Sequence, residues 1–360
     1  MKTRRDFLAL ASLGAASACA MSAPRSPEAR QAPAAARPPA PIKPRALKPG
    51  DVVGLVAPAS YTFDLWRLDD AAARFRALGL EPKFGRHVRG RRGFLSGTEE
   101  ERLEDLHGMF ADTGVAAIFC IQGGYGTPRL LDRLDYDLIR RNPKILVGYS
   151  DITGLHLAIG KKTGLVTFHG PNALGGWTER SVELLKKALF VPEALGPLTN
   201  PEEKDALNPE YRLRTIAPGS ARGRLVGGNL TLISATMGTP YEIDTRGRIL
   251  VLEDIGEAPY RIDRMLVQLK LAGKLREAAG IVFGTCTDCG TDKSSFELSL
   301  SLSEVLDEAF GALGKPVLAG LLFGHTREKS TIPFLVEADL DATAKTLTVV
   351  ESATVPPPGP

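Results

Sequence analysis

The sequence predicts an α/β protein of two domains, a doubly wound N-terminal one and a smaller C-terminal one of mixed α/β type. Three observations point there. From residue 51, short apolar β-type runs alternate with stretches of helical period, the pattern of a parallel sheet with helices on both faces. The runs "VAAIFCIQ" and "KILVGY" are apolar without alternation, as strands buried on both faces are. Between residues 191 and 218 the periodicity gives way to proline, asparagine and charge, which marks a linker. With 43% hydrophobic and 24% charged residues in a chain of 360, the composition is that of a globular protein with cores of ordinary size.

The first 20 residues stand apart from the fold. In "MKTRRDFLALASLGAASACA", the pair Arg4 and Arg5 precedes Phe7, Leu8, a short weakly apolar run and the small residues Ala18, Cys19 and Ala20. That order resembles a twin-arginine (Tat) export signal, with an apolar run too short to span a bilayer. The expected product is exported, periplasmic and cleaved after Ala20, with the Tat machinery as its first partner. Lipid attachment at Cys19 is the competing reading, weakened because Ala16 stands where such sites usually carry leucine. Loss of residues 1–20 removes three of the 45 basic and one of the 42 acidic residues and lowers the net charge from +3 to +1. No basic field for nucleic acid follows from that balance. Residues 21–46, rich in Pro and Ala, read as a tether.

The N-terminal domain is expected over residues 47–190. "DVVGLVAP" reads as a strand, "DLWRLDDAAARFRALG" as a helix ended by Gly79, and "EEERLEDLHGMFAD" as a second helix, after which "VAAIFCIQ", "KILVGY" and "LVTFHGP" extend the sheet. Over residues 219–355 the C-terminal domain takes strand, helix, strand and helix from "ARGRLVGGNLTLISATMGTP" and "GRILVLEDIGEAPYRIDRMLVQLKLAG", and further strands from "AGIVFGTCT", "KPVLAGLLFGH" and "KTLTVVES". Cys120, inside an apolar run, reads as core. Cys286 and Cys289 in "CTDC" lack a second Cys or His pair at zinc spacing, which argues against a zinc site; a disulfide and two free thiols both stay open.

Chemistry concentrates at "KILVGYSDITGLH", where a strand runs through Ser150 into a helix. A sharp strand-to-helix turn raises its junction side chain clear of the sheet and aims helix N–H groups beside it, which suits a nucleophile with an oxyanion site. The competing reading is a plain helix N-cap. A serine nucleophile needs a base and the base an orienting acid. Of five histidines, His169 after "LVTF" and His325 after "LAGLLFG" fall where a sheet edge or Gly-flanked loop can present them, and pattern alone leaves both open. Glu253 ends an apolar strand, where a carboxylate is costly without a partner; Asp254 and Glu257 are its competitors. Gly123, Gly124 and Gly126 in "GGYG" allow close backbone approach to a substrate, and no nucleotide fingerprint accompanies them.

Six blocks, "QGGYGTPRLL", "LVGYSDITGLH", "TFHGP", "LVGGNLTLI", "LEDIGEAPYRIDRMLVQL" and "FGH", stand in one order over roughly residues 48–350. In that order they resemble the LD-carboxypeptidase family of serine peptidases, which includes muramoyl-tetrapeptide carboxypeptidases and microcin C immunity-type peptidases. The resemblance implies a flavodoxin- or class I amidotransferase-like N-terminal domain, Ser150 as nucleophile, Glu253 as acid and His325 as base. It implies an oxyanion hole from the backbone N–H groups of Gly124 and Asp151. Tyr125, Arg129, His169 and Gly123 are the candidates for touching substrate. No metal or organic cofactor is implied, and a homodimer is.

The expected function is release of a terminal D-alanine from peptidoglycan tetrapeptides through an acyl-enzyme. Two alternatives stand beside it: an immunity-type peptidase acting on peptidyl or aminoacyl nucleotides, which the export signal disfavours, and a muropeptide-binding protein without catalysis, which an intact Ser, Glu and His set disfavours.

Overall fold

The computed structural model describes residues 39–203, 211–290 and 299–357. The export signal and the tether up to residue 38 lie outside the described residues. In chain order the first half carries β1 (Val52–Val56), α1 (Trp66–Ala77), β2 (Glu81–Phe84), α2 (Glu99–Ala111), β3 (Val115–Cys120), α3 (Tyr136–Arg141), β4 (Ile145–Gly148), α4 (Thr153–Thr163), β5 (Phe168–His169) and α5 (Glu179–Phe190). The second half carries β6 (Ala194–Leu198), β7 (Arg214–Ala217), β8 (Ser220–Asn229), α6 (Leu230–Ala235), β9 (Ile249–Ile255), α7 (Pro259–Leu271), α8 (Lys274–Glu277) and β10 (Gly280–Thr287). It ends with α9 (Leu302–Phe310), β11 (Val317–Ala319), β12 (Ile332–Pro333), β13 (Glu337–Asp341) and β14 (Thr346–Ser352).

Two sheets result. The first has six strands in the order β12-β5-β4-β3-β1-β2, parallel except for β12. Alternate residues of its strands face opposite layers of helix. Val53, Leu55 and Phe119 pack with Leu68 and Phe75 of α1 and Leu189 of α5, while Val56, Ile118 and Leu146 pack with Leu106 of α2, Ile139 of α3 and Leu155 of α4. The strand order reverses between β1 and β3, and ligands of such sheets sit beyond the carboxyl ends of the strands at that reversal. The second sheet has eight strands in the order β6-β14-β13-β8-β9-β10-β11-β7. Its centre, β8 to β11, is parallel and its flanks are antiparallel. The core on the α1 and α5 side of the first sheet continues into Leu250, Val251 and Val282 of the second.

Three boundaries differ from the sequence reading. Residues 191–218 are not only a linker: β6 and β7 lie there and form the two edges of the eight-stranded second sheet. β12, from beyond residue 330, joins the N-terminal sheet beside β5. The end of the expected tether is docked, with Ile42 bridged to Leu165, Ala46 fully buried and Arg45 paired with Asp51 at 2.7 Å. Cys286 and Cys289 are joined as a disulfide, and Cys120 is buried. Among the described residues no helix is long and apolar enough to cross a membrane.

Phe75 shows what the N-terminal core is worth. Its ring is fully buried, 4.7 Å from that of Phe119 and 5.3 Å from that of Trp177. Replacement of Phe75 by Ala is expected to cost about 3–5 kcal/mol of stability, read from urea unfolding followed by tryptophan fluorescence.

Candidate active site

β4 ends at Gly148, Tyr149 is extended, and Ser150 takes φ +69° before the chain turns through a short 3-10 segment into α4. A non-glycine residue in the left-handed region carries a cost on the order of 1–2 kcal/mol. Ser150 is not the N-cap of either segment: Tyr149 holds that position for the 3-10 turn and Ile152 for α4. The Ser150 Oγ instead lies 3.0 Å from His325 Nε2.

The surroundings hold this turn from behind. The buried Asp151 carboxylate accepts the Thr127 N–H at 2.7 Å, and the Thr127 hydroxyl donates to the Asp151 carbonyl at 2.5 Å. Arg102, also buried, donates to the carbonyls of Pro58 and Gly126 at 2.7 and 2.9 Å. His156 Nε2 donates to the Gly148 carbonyl at 2.9 Å, fixing the end of β4. The α4 helix continues from these anchors, so the serine cannot relax without unpacking its base.

Glu253 comes from the carboxyl end of β9 and is fully buried. Its Oε2 accepts from His325 Nδ1 at 2.7 Å and from the His325 backbone N–H at 3.3 Å. Burial raises the Glu253 pKa, and the two His325 donors oppose that rise. Gly324, at φ +76°, makes the approach possible, because a Cβ there would collide with the Glu253 carboxylate. The Thr287 hydroxyl donates to the His325 carbonyl at 2.6 Å, and the Tyr149 ring stands edge-on to the imidazole with centroids 4.9 Å apart. A hydroxyl, an imidazole and a carboxylate are thus linked in one hydrogen-bonded line, the arrangement that turns a serine into a nucleophile.

A pocket of about 320 Å³ opens at Ser150, lined by Gln122, Gly123, Gly124, Tyr149, Asn172, Leu174, Gly175, Arg67 and His325. Gly123 packs directly on the serine: a Cβ there would lie 2.7 Å from Ser150 Cβ and 3.3 Å from the Asp151 backbone nitrogen. Gly124, at φ +98°, meets Ser60 in the loop after β1. Ser60 accepts the Tyr125 N–H on its Oγ at 3.1 Å and donates its own N–H to the Gly123 carbonyl at 3.2 Å. The loops after β1, β3, β4 and β5 therefore meet at the reversal of strand order.

Other sequence candidates lie elsewhere. Arg129 does not reach the pocket; it pairs with Glu99 at 2.8 Å on the surface. The Tyr125 side chain is exposed beside Phe94, with ring centroids 5.7 Å apart, and lies outside the pocket lining. His169 is fully buried behind the site, 3.8 Å from Glu253 Oε1, and burial holds its pKa well below the ordinary value. Asp254 is occupied by Asn229, Thr231 and the Ile255 N–H, and Glu257 by Arg261. Ser60, Arg67, Gln122 and Asn172 were not singled out from sequence. Only the apolar stretch before Ser60 and the glycines beside Gln122 signalled that their loops share a sheet edge. Among the described residues no group of three or more His, Cys, Asp or Glu is placed to hold a metal ion.

Burial raises the Asp151 carboxyl to about 6 despite the Thr127 and Gly126 N–H groups and Arg102. Its folded pKa exceeds the unfolded one, so its contribution to stability is complete below about pH 4 and is lost as pH rises through about 6. The stability of an Asp151→Asn variant relative to the parent is therefore expected to rise by up to about 3 kcal/mol between pH 4 and pH 7, measured by urea unfolding across that range.

Comparison with known proteins accords with this geometry. Residues 53–170 match the LD-carboxypeptidase N-terminal domain and residues 222–340 the LD-carboxypeptidase C-terminal domain. A probable murein peptide carboxypeptidase of Bacillus subtilis is 45% identical over 307 residues, covering 85% of this chain and 94% of its own. The murein tetrapeptide carboxypeptidase of Pseudomonas aeruginosa is 34% identical over 288 residues, covering 78% and 90%. Among solved structures, the microcin immunity protein MccF in complex with glutamyl sulfamoyl guanosine superposes with a TM-score of 0.78 at 26% identity, covering 88% of this chain and 100% of its own. The muramoyltetrapeptide carboxypeptidase of Oxalobacter formigenes does so with a TM-score of 0.72 at 27% identity, covering 84% and 100%. This chain belongs to the LD-carboxypeptidase family and is a serine carboxypeptidase with that family's two domains.

Proposed function

We propose that the enzyme releases the terminal D-alanine of murein tetrapeptides, with Ser150 as nucleophile, His325 as general base and acid, and Glu253 as the group that orients the imidazole. The observation that carries this reading is the continuous hydrogen-bonded line Ser150–His325–Glu253 at the floor of an open pocket. His325 Nε2 takes the Ser150 proton as Oγ bonds to the scissile carbonyl carbon. The charge then gathers on the carbonyl oxygen, facing the Gly124 and Asp151 N–H groups. Collapse breaks the carbon–nitrogen bond, and the departing amine takes the proton from His325. Water, deprotonated by the same imidazole, attacks the ester and frees the tripeptide and Ser150.

The murein relatives at 45% and 34% identity support the substrate, and the twin-arginine sequence supports export to where murein lies. The closed Cys286–Cys289 pair accords with an oxidising compartment. A second reading, cleavage of an aminoacyl or peptidyl nucleotide, draws on the likeness to MccF.

The test is mass spectrometry of an L-Ala-D-Glu-diaminopimelate-D-Ala tetrapeptide with enzyme. Loss of one D-alanine is expected, while an intact tetrapeptide beside a cleaved aminoacyl nucleotide analogue would favour the second reading. Ser150→Ala and His325→Ala are each expected to lower kcat at least about 1,000-fold. Glu253→Gln is expected to do the same through the wrong imidazole tautomer, all by single-substrate kinetics.

A further inference from the structure

A carboxypeptidase must tell a free chain end from a peptide bond, and the mark of a chain end is its carboxylate. Burying that charge in a pocket is costly unless a cation or several N–H donors meet it. The groups around Ser150 leave few that can. His325 is committed to Ser150 and Glu253. Arg129 is paired with Glu99, and Arg91 stacks over the Tyr61 ring at 4.3 Å. Lys329 lies behind Tyr149, 5.6 Å over its ring and 3.4 Å from the Gly176 carbonyl, and is not part of the pocket wall.

Arg67 is different. It stands in the first turn of α1 and is the one arginine or lysine that lines the pocket containing Ser150. Its Nη2 donates to the Leu174 carbonyl at 3.2 Å. Two turns along the same helix Arg74 donates to the neighbouring Ala173 carbonyl, also at 3.2 Å. The pair ties α1 to the loop after β5, so the Arg67 guanidinium is held by a neutral acceptor. Among the described residues no carboxylate lies within ion-pair distance of Arg67. One N–H of its five is occupied by that carbonyl, and the planar fork that matches a carboxylate is otherwise unspent.

We propose that Arg67 binds the α-carboxylate of the substrate's terminal residue and so makes the enzyme exo-acting. The assignment rests on the murein reading above and names the group within that site which sets its specificity. The test compares the tetrapeptide with its C-terminal carboxamide. Turnover is measured with the parent, Arg67→Lys and Arg67→Met enzymes, and binding by calorimetry in the Ser150→Ala background with and without Arg67→Met. The parent is expected to prefer the acid; Arg67→Met should raise KM for the acid roughly 10- to 100-fold and bring the acid-to-amide ratio close to one, with Arg67→Lys between. A merely structural role would weaken both peptides alike and leave that ratio standing, which would overturn the assignment. So would a Ser150→Ala, Arg67→Met protein that still binds the acid selectively. Absence of both binding and turnover in the parent would overturn the murein reading itself and this assignment with it, a result distinct from retained selectivity.

Discussion

A carboxylate without solvent at the end of a parallel strand governs this molecule. Glu253 has one oxygen engaged by the side chain and backbone of His325, while the other has no hydrogen-bond partner and faces His169 at 3.8 Å. In a low-dielectric interior such a group is tolerable only with a partner of fixed geometry. The loop that carries His325 is accordingly held by Thr287 from β10 and made narrow at Gly324. Orientation of the imidazole toward Ser150 then needs no rearrangement, because the acid has already chosen the tautomer and the direction.

Ser150 is held by the opposite strategy. Ser150 bears backbone strain, and the cost is covered by buried polar contacts around it: Asp151 with Thr127, Arg102 with two loop carbonyls and His156 with the end of β4. Burial keeps His156 near 4 and holds His169 well below its ordinary value, so burial disfavours the charged form of both. The charge in the interior is thereby confined to groups that have partners.

Much of this was legible in the sequence, and the parts that were not share a physical cause. Apolar runs of β1, β3, β4 and β9 announced themselves because both faces are buried. β6 did not, because an edge strand tolerates Pro197 and has no reason to alternate. β12 is two residues long, too short for any period, and its place depends on the far end of the chain. Ser150, Glu253 and His325 were marked by strand ends and by the order of sequence blocks. Arg129 misled because proximity in sequence to the glycine loop does not aim a side chain, and Glu99 from α2 was nearer. Arg67 left no signal, since one arginine on an amphipathic helix reads like any other until the β5 loop is laid across it.

The placement of β12 has a consequence for the enzyme's life before it is complete. Ile332 and Pro333 pair with His169 and Phe168, so the sheet that presents Ser150 is finished by residues that leave the ribosome after His325, which itself follows Ser150 by 175 positions. Until His325 has emerged, a growing chain carries Ser150 without the imidazole it pairs with. The hydrogen-bonded line from Ser150 through His325 to Glu253 closes only when both halves of the fold are present.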